Sequence, residues 1–195
     1  MKVAIIQMSD LHIASDKDYI IDNARKLARS ISSVVNNCQK VALVITGDII
    51  DKGNVVMYQQ AKKFLTDFKN EIQKEVKLLD WQYVIVPGNH DLDFNMRVPM
   101  RQLILKDCIG NGVVSEPEYI QEALKPQKEF WKFYGELTNE EKLPSISFKQ
   151  IMTVNDEMNI EFHCYNSAFL STIDEQPQGL LLPESEFINY ENSQP

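Results

Sequence analysis

Three short apolar runs, each followed at once by a polar motif, constrain this chain more than any other feature. Val3 to Met8, Val41 to Ile45 and Tyr83 to Val86 are rich in β-branched residues and bounded by polar or turn-forming ones. Runs of that length and composition read as strands. The first, with apolar residues throughout most of its length, is expected to be fully buried. Between the first two runs, Ile20, Ala24, Leu27, Ile31 and Val34 recur at helical spacing over about Asp18 to Asn36. Ser15 and Asp16 lie just upstream as candidate caps. Between the second and third, Met57, Ala61, Phe64, Leu65, Phe68 and Ile72 mark another amphipathic helix. Strand and helix in alternation predict an α/β fold, with a mainly parallel sheet and helices packed on it.

The polar motifs share one structural position. Asp10-Leu11-His12 follows the first strand, Gly47-Asp48-Ile49-Ile50-Asp51 the second, and Gly88-Asn89-His90-Asp91 the third. In an open parallel sheet, ligands bind at the carboxyl ends of the strands. Residues far apart in sequence are therefore expected to meet along one edge. They bring carboxylate, imidazole and amide groups, a donor set suited to manganese, iron, zinc or similar divalent ions. Taken singly, an Asp-x-His is common and a Gly-Asp after a strand is often only a turn. Three such motifs, each at a strand end, are hard to explain as coincidence.

Downstream, about Leu92 to Leu143 reads as a mainly helical insertion in a single domain covering 1–195. Phe130, Trp131, Phe133 and Tyr134 cluster near its end. Packing is the favoured role for that cluster, and a cap over the motif edge is the sharper alternative. Two strands, Ser145 to Val154 and Asn159 to Tyr165, are expected to be joined at Asn155-Asp156-Glu157. Asn166 to Ala168, after the second, either line the site or cap the strand. Beyond Ser171, a turn is expected at Pro177-Gln178-Gly179 and a helix start at Pro183-Glu184. No apolar run is long enough to cross a bilayer. The three cysteines, Cys38, Cys108 and Cys164, are odd in number and widely spaced, which fits reduced thiols in a cytoplasmic protein. A formal net charge of −8, with Lys and Arg scattered among acids, argues against a broad nucleic-acid footprint.

The three motifs, in this order, resemble the first three blocks of the calcineurin-like metallophosphoesterases. That family includes Ser/Thr phosphatases, cyclic-nucleotide phosphodiesterases, DNA-repair nucleases and purple acid phosphatases. The resemblance implies a two-sheet sandwich flanked by helices, and hydrolysis of phosphomonoesters or phosphodiesters by water activated between two metal ions. By motif position it implies that Asp10 and His12 bind the first metal, and that Asp48 bridges both. Asn89 binds the second metal and, with His90, holds the phosphate. The resemblance further implies that His90 is the acid for the leaving group or a stabiliser of the transition state, and that Asp51 orients it. Asp91 is a supporting or turn residue.

The family adds histidines later, after a fourth strand and in a Gly-His-x-His block. This chain has three histidines, His12, His90 and His163, and neither late block. His163, mid-strand with no glycine before it, reads as an ordinary strand residue. The expectation is a fragment of a longer enzyme, with an incomplete second metal site, little or no activity and a sheet edge open to self-association. The alternatives are a non-catalytic scaffold, like the retromer and DNA-polymerase subunits that share the fold, and a nuclease, suggested by Ser9-Asp10-Leu11-His12.

Overall fold

The computed structural model describes residues 1–76, 80–111, 117–172 and 182, with side chains except those of 108–111. Among them the order is β1 (Val3–Met8), α1 (Tyr19–Asp22), α2 (Ala24–Val35), β2 (Lys40–Thr46), α3 (Tyr58–Glu75), β3 (Asp80–Val86), α4 (Pro99–Asn111), α5 (Pro117–Leu124), α6 (Lys128–Thr138), β4 (Ser147–Asn155) and β5 (Met158–Tyr165). The turn expected at Pro177-Gln178-Gly179, the helix start at Pro183-Glu184 and the Cys108 side chain lie outside the described residues. No helix among the described residues is long and apolar enough to cross a membrane.

The apolar runs form a parallel sheet in the order β1-β2-β3, and β4 and β5 form an antiparallel hairpin. In the parallel sheet Ile5 stands opposite Ala42, and Ala42 opposite Gln82. β2 is the central strand, with Val41, Ala42, Leu43 and Ile45 fully buried. The expectation that β1 is fully buried does not hold. Its residues alternate between half-buried and exposed, and Ile5 is 57% exposed. The reason is position. β1 stands at the edge of this sheet, and only one of its faces meets the helical layer.

α2 and α3 cover that face. α3 buries Ala61, Phe64, Leu65, Phe68 and Ile72, the stripe its sequence spacing marks, and its first turn buries Tyr58, while Met57 precedes the helix and is half-buried. The region before β2 departs from the single helix expected there. Asn23 divides it, closing α1 through its side-chain amide, which donates to Tyr19 O at 2.8 Å, and opening α2. Asparagine does this because its side chain competes for backbone partners. The α1 cap is Asp18, whose carboxylate accepts from Ile20 N at 3.2 Å, rather than Ser15 or Asp16. α2 then buries Ala24, Ala28, Ser32 and Val35, leaving Leu27 and Val34 exposed. Small residues on the buried stripe let α2 lie close on α3.

The aromatic cluster of α6 is core. Phe130, Trp131, Phe133 and Tyr134 are buried with Tyr58 and Phe64, and Tyr58 stacks on Phe133 at 4.9 Å between ring centres. The cap alternative for that cluster is set aside, since all four rings point into the helical core. The hairpin leans on β3. Buried Gln150 donates to Tyr83 O at 3.3 Å, and Gln82 donates to Ile151 O at 3.3 Å. Cys38 and Cys164 are free thiols, and burial pushes the Cys164 thiol up to about 11.

One buried acid ties the two long helices together. Glu71 on α3 takes Lys74 Nζ at 2.6 Å and Arg29 of α2 at 2.8 Å. The Lys74 and Arg29 hydrogen bonds hold its carboxyl below the ordinary 4.5. A lowered folded pKa means the unfolded chain binds more protons, so the pair's contribution is present above about pH 4.5 and fades below it. Glu71→Gln should therefore lower the melting temperature at pH 7, and the deficit should shrink towards pH 3 in parallel thermal melts.

Candidate metal centre

The ladder between β1 and β2 continues past both strands into the loops that carry the motifs. Asp10 N donates to Gly47 O at 3.3 Å, His12 N to Asp48 O at 2.9 Å, and Ile13 N to Ile49 O at 3.0 Å. This zipped pair of loops sets the first two motifs side by side. The third is brought in by glycine. Gly47, at φ 95°, lies so close to Gly88 that a Cβ on Gly47 would sit 2.7 Å from Gly88 Cα. A Cβ on Gly88 would in turn collide with Asp48 Oδ1 and N. Only glycine allows the β2 and β3 turns to approach this closely.

Asp91 then locks the turns together. It is 1% exposed, and its carboxylate accepts from Gly88 N at 2.8 Å, Ile49 N at 3.1 Å and Ile50 N at 3.2 Å. Tyr58, from the first turn of α3, donates its hydroxyl to Asp91 O at 3.1 Å and lies 3.3 Å from Oδ1. Burial pushes the Asp91 carboxyl up to about 6, while the three amides pull it down. Burial, with the Asp91 charge beside it, holds the Tyr58 phenol well above its ordinary value.

On this frame the candidate ligands converge. Donor atoms of Asp10, His12 and Asp48 lie within 4.8 Å of one another, as do those of His12, Asp51 and His90. His12 Nε2 is 3.7 Å from Asp10 Oδ1 and 4.0 Å from Asp48 Oδ2. Those gaps are too long for hydrogen bonds. They suit two ligands that each stand about 2.0–2.2 Å from one ion. Asp48 Oδ1 accepts the His90 amide at 2.9 Å, which leaves Oδ2 facing the cluster. Asp10 Oδ2 takes the Ser9 hydroxyl. The backbone is strained here too. Asp10 (φ 55°), His12 (φ 44°) and Asp48 (φ 54°) are three of the five non-glycine residues with positive φ among the described ones. Such strain costs about 1–3 kcal/mol per residue and gathers at functional sites. The carboxylate and imidazole donors, their spacing and the strained backbone fit a divalent cation.

Asp51 sits between two imidazoles. Its Oδ1 is 3.1 Å from His90 Nδ1 and 3.8 Å from His12 Nδ1, and the two rings meet edge to face at 4.5 Å. Lys52 N also points at His90 Nδ1, at 3.1 Å. One nitrogen cannot donate to Asp51 and accept from Lys52 at once. With its proton on Nδ1, His90 donates to Asp51; with the proton on Nε2, Nδ1 accepts from Lys52 N. Asn89 opens the one-turn helix Asn89–Asp91, half-buried, between Gly88 and His90, which both touch Asp48. His163 lies apart from both donor groups, paired with Glu161 at 3.2 Å on β5. Asn166 caps the end of that strand. It is fully buried, exchanges two hydrogen bonds with Gln127 and donates to Ser145 O, so it does not line the edge.

Sequence reasoning missed Tyr58, which was signalled only faintly, as a hydroxyl on an otherwise apolar helix face. Asp91 fills the supporting, turn-holding part expected of it. Two substitutions test the frame. Asp91→Asn should cost about 1–3 kcal/mol in urea unfolding, because the amide sets an N–H donor against backbone N–H groups. Gly88→Ala should cost a similar amount, about 1–3 kcal/mol, and weaken manganese binding at least tenfold, since its methyl displaces Asp48.

Comparison with known proteins agrees with this geometry. A chain segment matches the "Probable cyclic nucleotide phosphodiesterase" of Vesicomyosocius okutanii subsp. Calyptogena okutanii (strain HA) at 31% identity, over 49% of this chain and 36% of that protein. The "Uncharacterized metallophosphoesterase-like protein YydB" of Bacillus subtilis (strain 168) matches at 31% identity, over 69% of this chain and 27% of its own length. The "Probable glycerophosphodiester phosphodiesterase GpdQ" of Arcobacter nitrofigilis matches at 34%, over 48% of this chain and 32% of its own. The chain thus spans 27–36% of the length of these curated relatives. The family model for calcineurin-like phosphoesterases matches residues 3–186, and the chain belongs to that family.

Proposed function

We propose that this chain carries the metal-binding part of a phosphodiesterase that uses a pair of divalent ions, manganese, iron or zinc. The observation that supports it most is the meeting of Asp10, His12 and Asp48 donor atoms within 4.8 Å at the carboxyl edge of a parallel sheet. Two of the relatives above carry phosphodiesterase names, which favours diesters over monoesters. Residues 1–195 are taken as one domain, with 92–143 as its insertion.

Bound ions would supply the positive charge that polarises the phosphate and acidifies a water. The chain's own residues do the rest. Asp10 and His12 would hold one ion, Asp48 would serve both, and Asn89 would hold the second and, with His90, position the phosphate. Asp51 keeps a proton on His90 Nδ1 and so sets the ring's orientation. His90 in its doubly protonated form then gives the Nε2 proton to the leaving alkoxide. A scaffold has no physical need for three strained residues that are all ligand types. The net charge of −8 weighs against a nuclease.

The test is calorimetric titration of metal-stripped protein with manganese, together with turnover of bis(p-nitrophenyl) phosphate. The wild type should bind manganese, and Asp48→Asn should abolish binding. His90→Gln should keep most of the affinity and lose about 10²–10⁴-fold in kcat. Manganese binding indifferent to Asp48→Asn would sink the assignment.

A further inference from the structure

Beside the metal centre lies a cavity of about 450 Å³ that none of the roles above uses. That is the size of a small-molecule site. Phe94, Met96, Leu105 and Pro126 give it apolar walls, and Arg97 and Gln102 add polar groups. Gly53 connects it to the third motif. Gly53 N donates to His90 O at 2.9 Å. Gly53 also lies against Leu92 O and the Phe94 ring, which is 3.4 Å from where a Cβ would stand. The wall begins at Asp93, two residues after Asp91. Three residues of chain from His90 to Asp93 span at most about 11 Å.

The walls are fixed, and one charge on them is not. Asp93 N donates to Pro126 O at 2.8 Å, which ties the two sides together. Arg101 donates to Ala123 O at 3.2 Å, Phe169 O at 3.1 Å and Ser171 O at 2.6 Å, so it serves as a brace. The Asp93 carboxylate turns back on its own loop to accept from Asn95 N at 3.0 Å. Arg97 is exposed and lines the cavity, and among the described residues it enters no ion pair. A guanidinium offers a planar pair of N–H donors that matches a carboxylate or a phosphate. Apolar walls with a single such fork fit an alkyl or ring-bearing alcohol that carries a negative group.

We propose that this cavity receives one alcohol arm of the phosphodiester, and that Arg97 recognises an anionic group, carboxylate or phosphate, on that arm. The inference rests on the phosphodiesterase reading above and deepens it.

Three ligands test it on the whole chain with manganese by calorimetry: hexyl phosphate, 6-(phosphonooxy)hexanoate and hexane-1,6-diyl bisphosphate. They share one phosphate for the metal centre and differ only at the far end. Wild-type protein should bind one or both of the doubly anionic ligands about tenfold more tightly than hexyl phosphate, which also tells carboxylate from phosphate recognition. Arg97→Gln should bring that ratio to about one, and Arg97→Lys should restore part of it. Equal affinities in the wild type, or a preference that survives Arg97→Gln, would overturn the inference. Either result alongside wild-type turnover of bis(p-nitrophenyl) phosphate would leave the phosphodiesterase reading standing. Failure of all three ligands to bind, with no turnover, would remove both.

Discussion

The candidate metal-binding edge depends on one buried carboxylate. Asp91 belongs to the turn after β3, yet two of its backbone partners, Ile49 and Ile50, lie in the turn after β2. Hydrogen bonds to a charged acceptor are worth more than neutral ones, about 1.5–3 kcal/mol each. The three amides offset part of the cost of burying the carboxylate, and burial still leaves it raised. The consequence is geometric. Once the two turns are fixed to each other, Gly88 rests on Asp48, the His90 amide reaches Asp48 Oδ1, and Asp51 reaches the His90 ring. Tyr58 extends the same linkage to α3, and its ring stacks into the aromatic core with Phe133. The placement of His90 thus traces back, through Asp91 and Tyr58, to hydrophobic packing.

The candidate centre sets ligand-type side chains on strained backbone. Asp10 and Asp48 flank His12, and Asp51 stands between His12 and His90. Asp10, His12 and Asp48 hold left-handed backbone conformations. That cost is borne by the surrounding scaffold: the central strand β2, the zipped loops after β1 and β2, and the helical layer on one face. A site of this kind is held ready for a positive ion by structure that does not itself touch the ion.

Much of this was legible because it is local. A β-branched run makes a strand almost regardless of context, and the three parallel-strand segments lie where their composition puts them. The apolar spacing of α3 marks its buried stripe from Ala61 to Ile72, though not Tyr58. The motifs after each strand could be placed on one edge because parallel strands share a direction. What failed depended on neighbours. An apolar β1 looks buried from its residues, but its exposure follows from standing at the edge of the sheet. The stripe of α2 was misread because Asn23 resets the helix before it, so Ala28 and Ser32 face the core in place of Leu27 and Val34.

Sequence by itself determined the strand ends, the donor types and their order, since each depends on residues adjacent in the chain. Only the tertiary structure decided which donor meets which. Asp51 stands between His12 and His90, Asp91 bridges two turns, and Asn166 turns away from the edge to pair with buried Gln127. The cavity at Arg97 likewise exists only where α4, the loop after Asp91, Pro126 and Thr172 come together. The physical reason is the same in each case. Hydrogen bonds and cavities across the fold are set by packing between segments far apart in sequence, and no short-range pattern of residues records them.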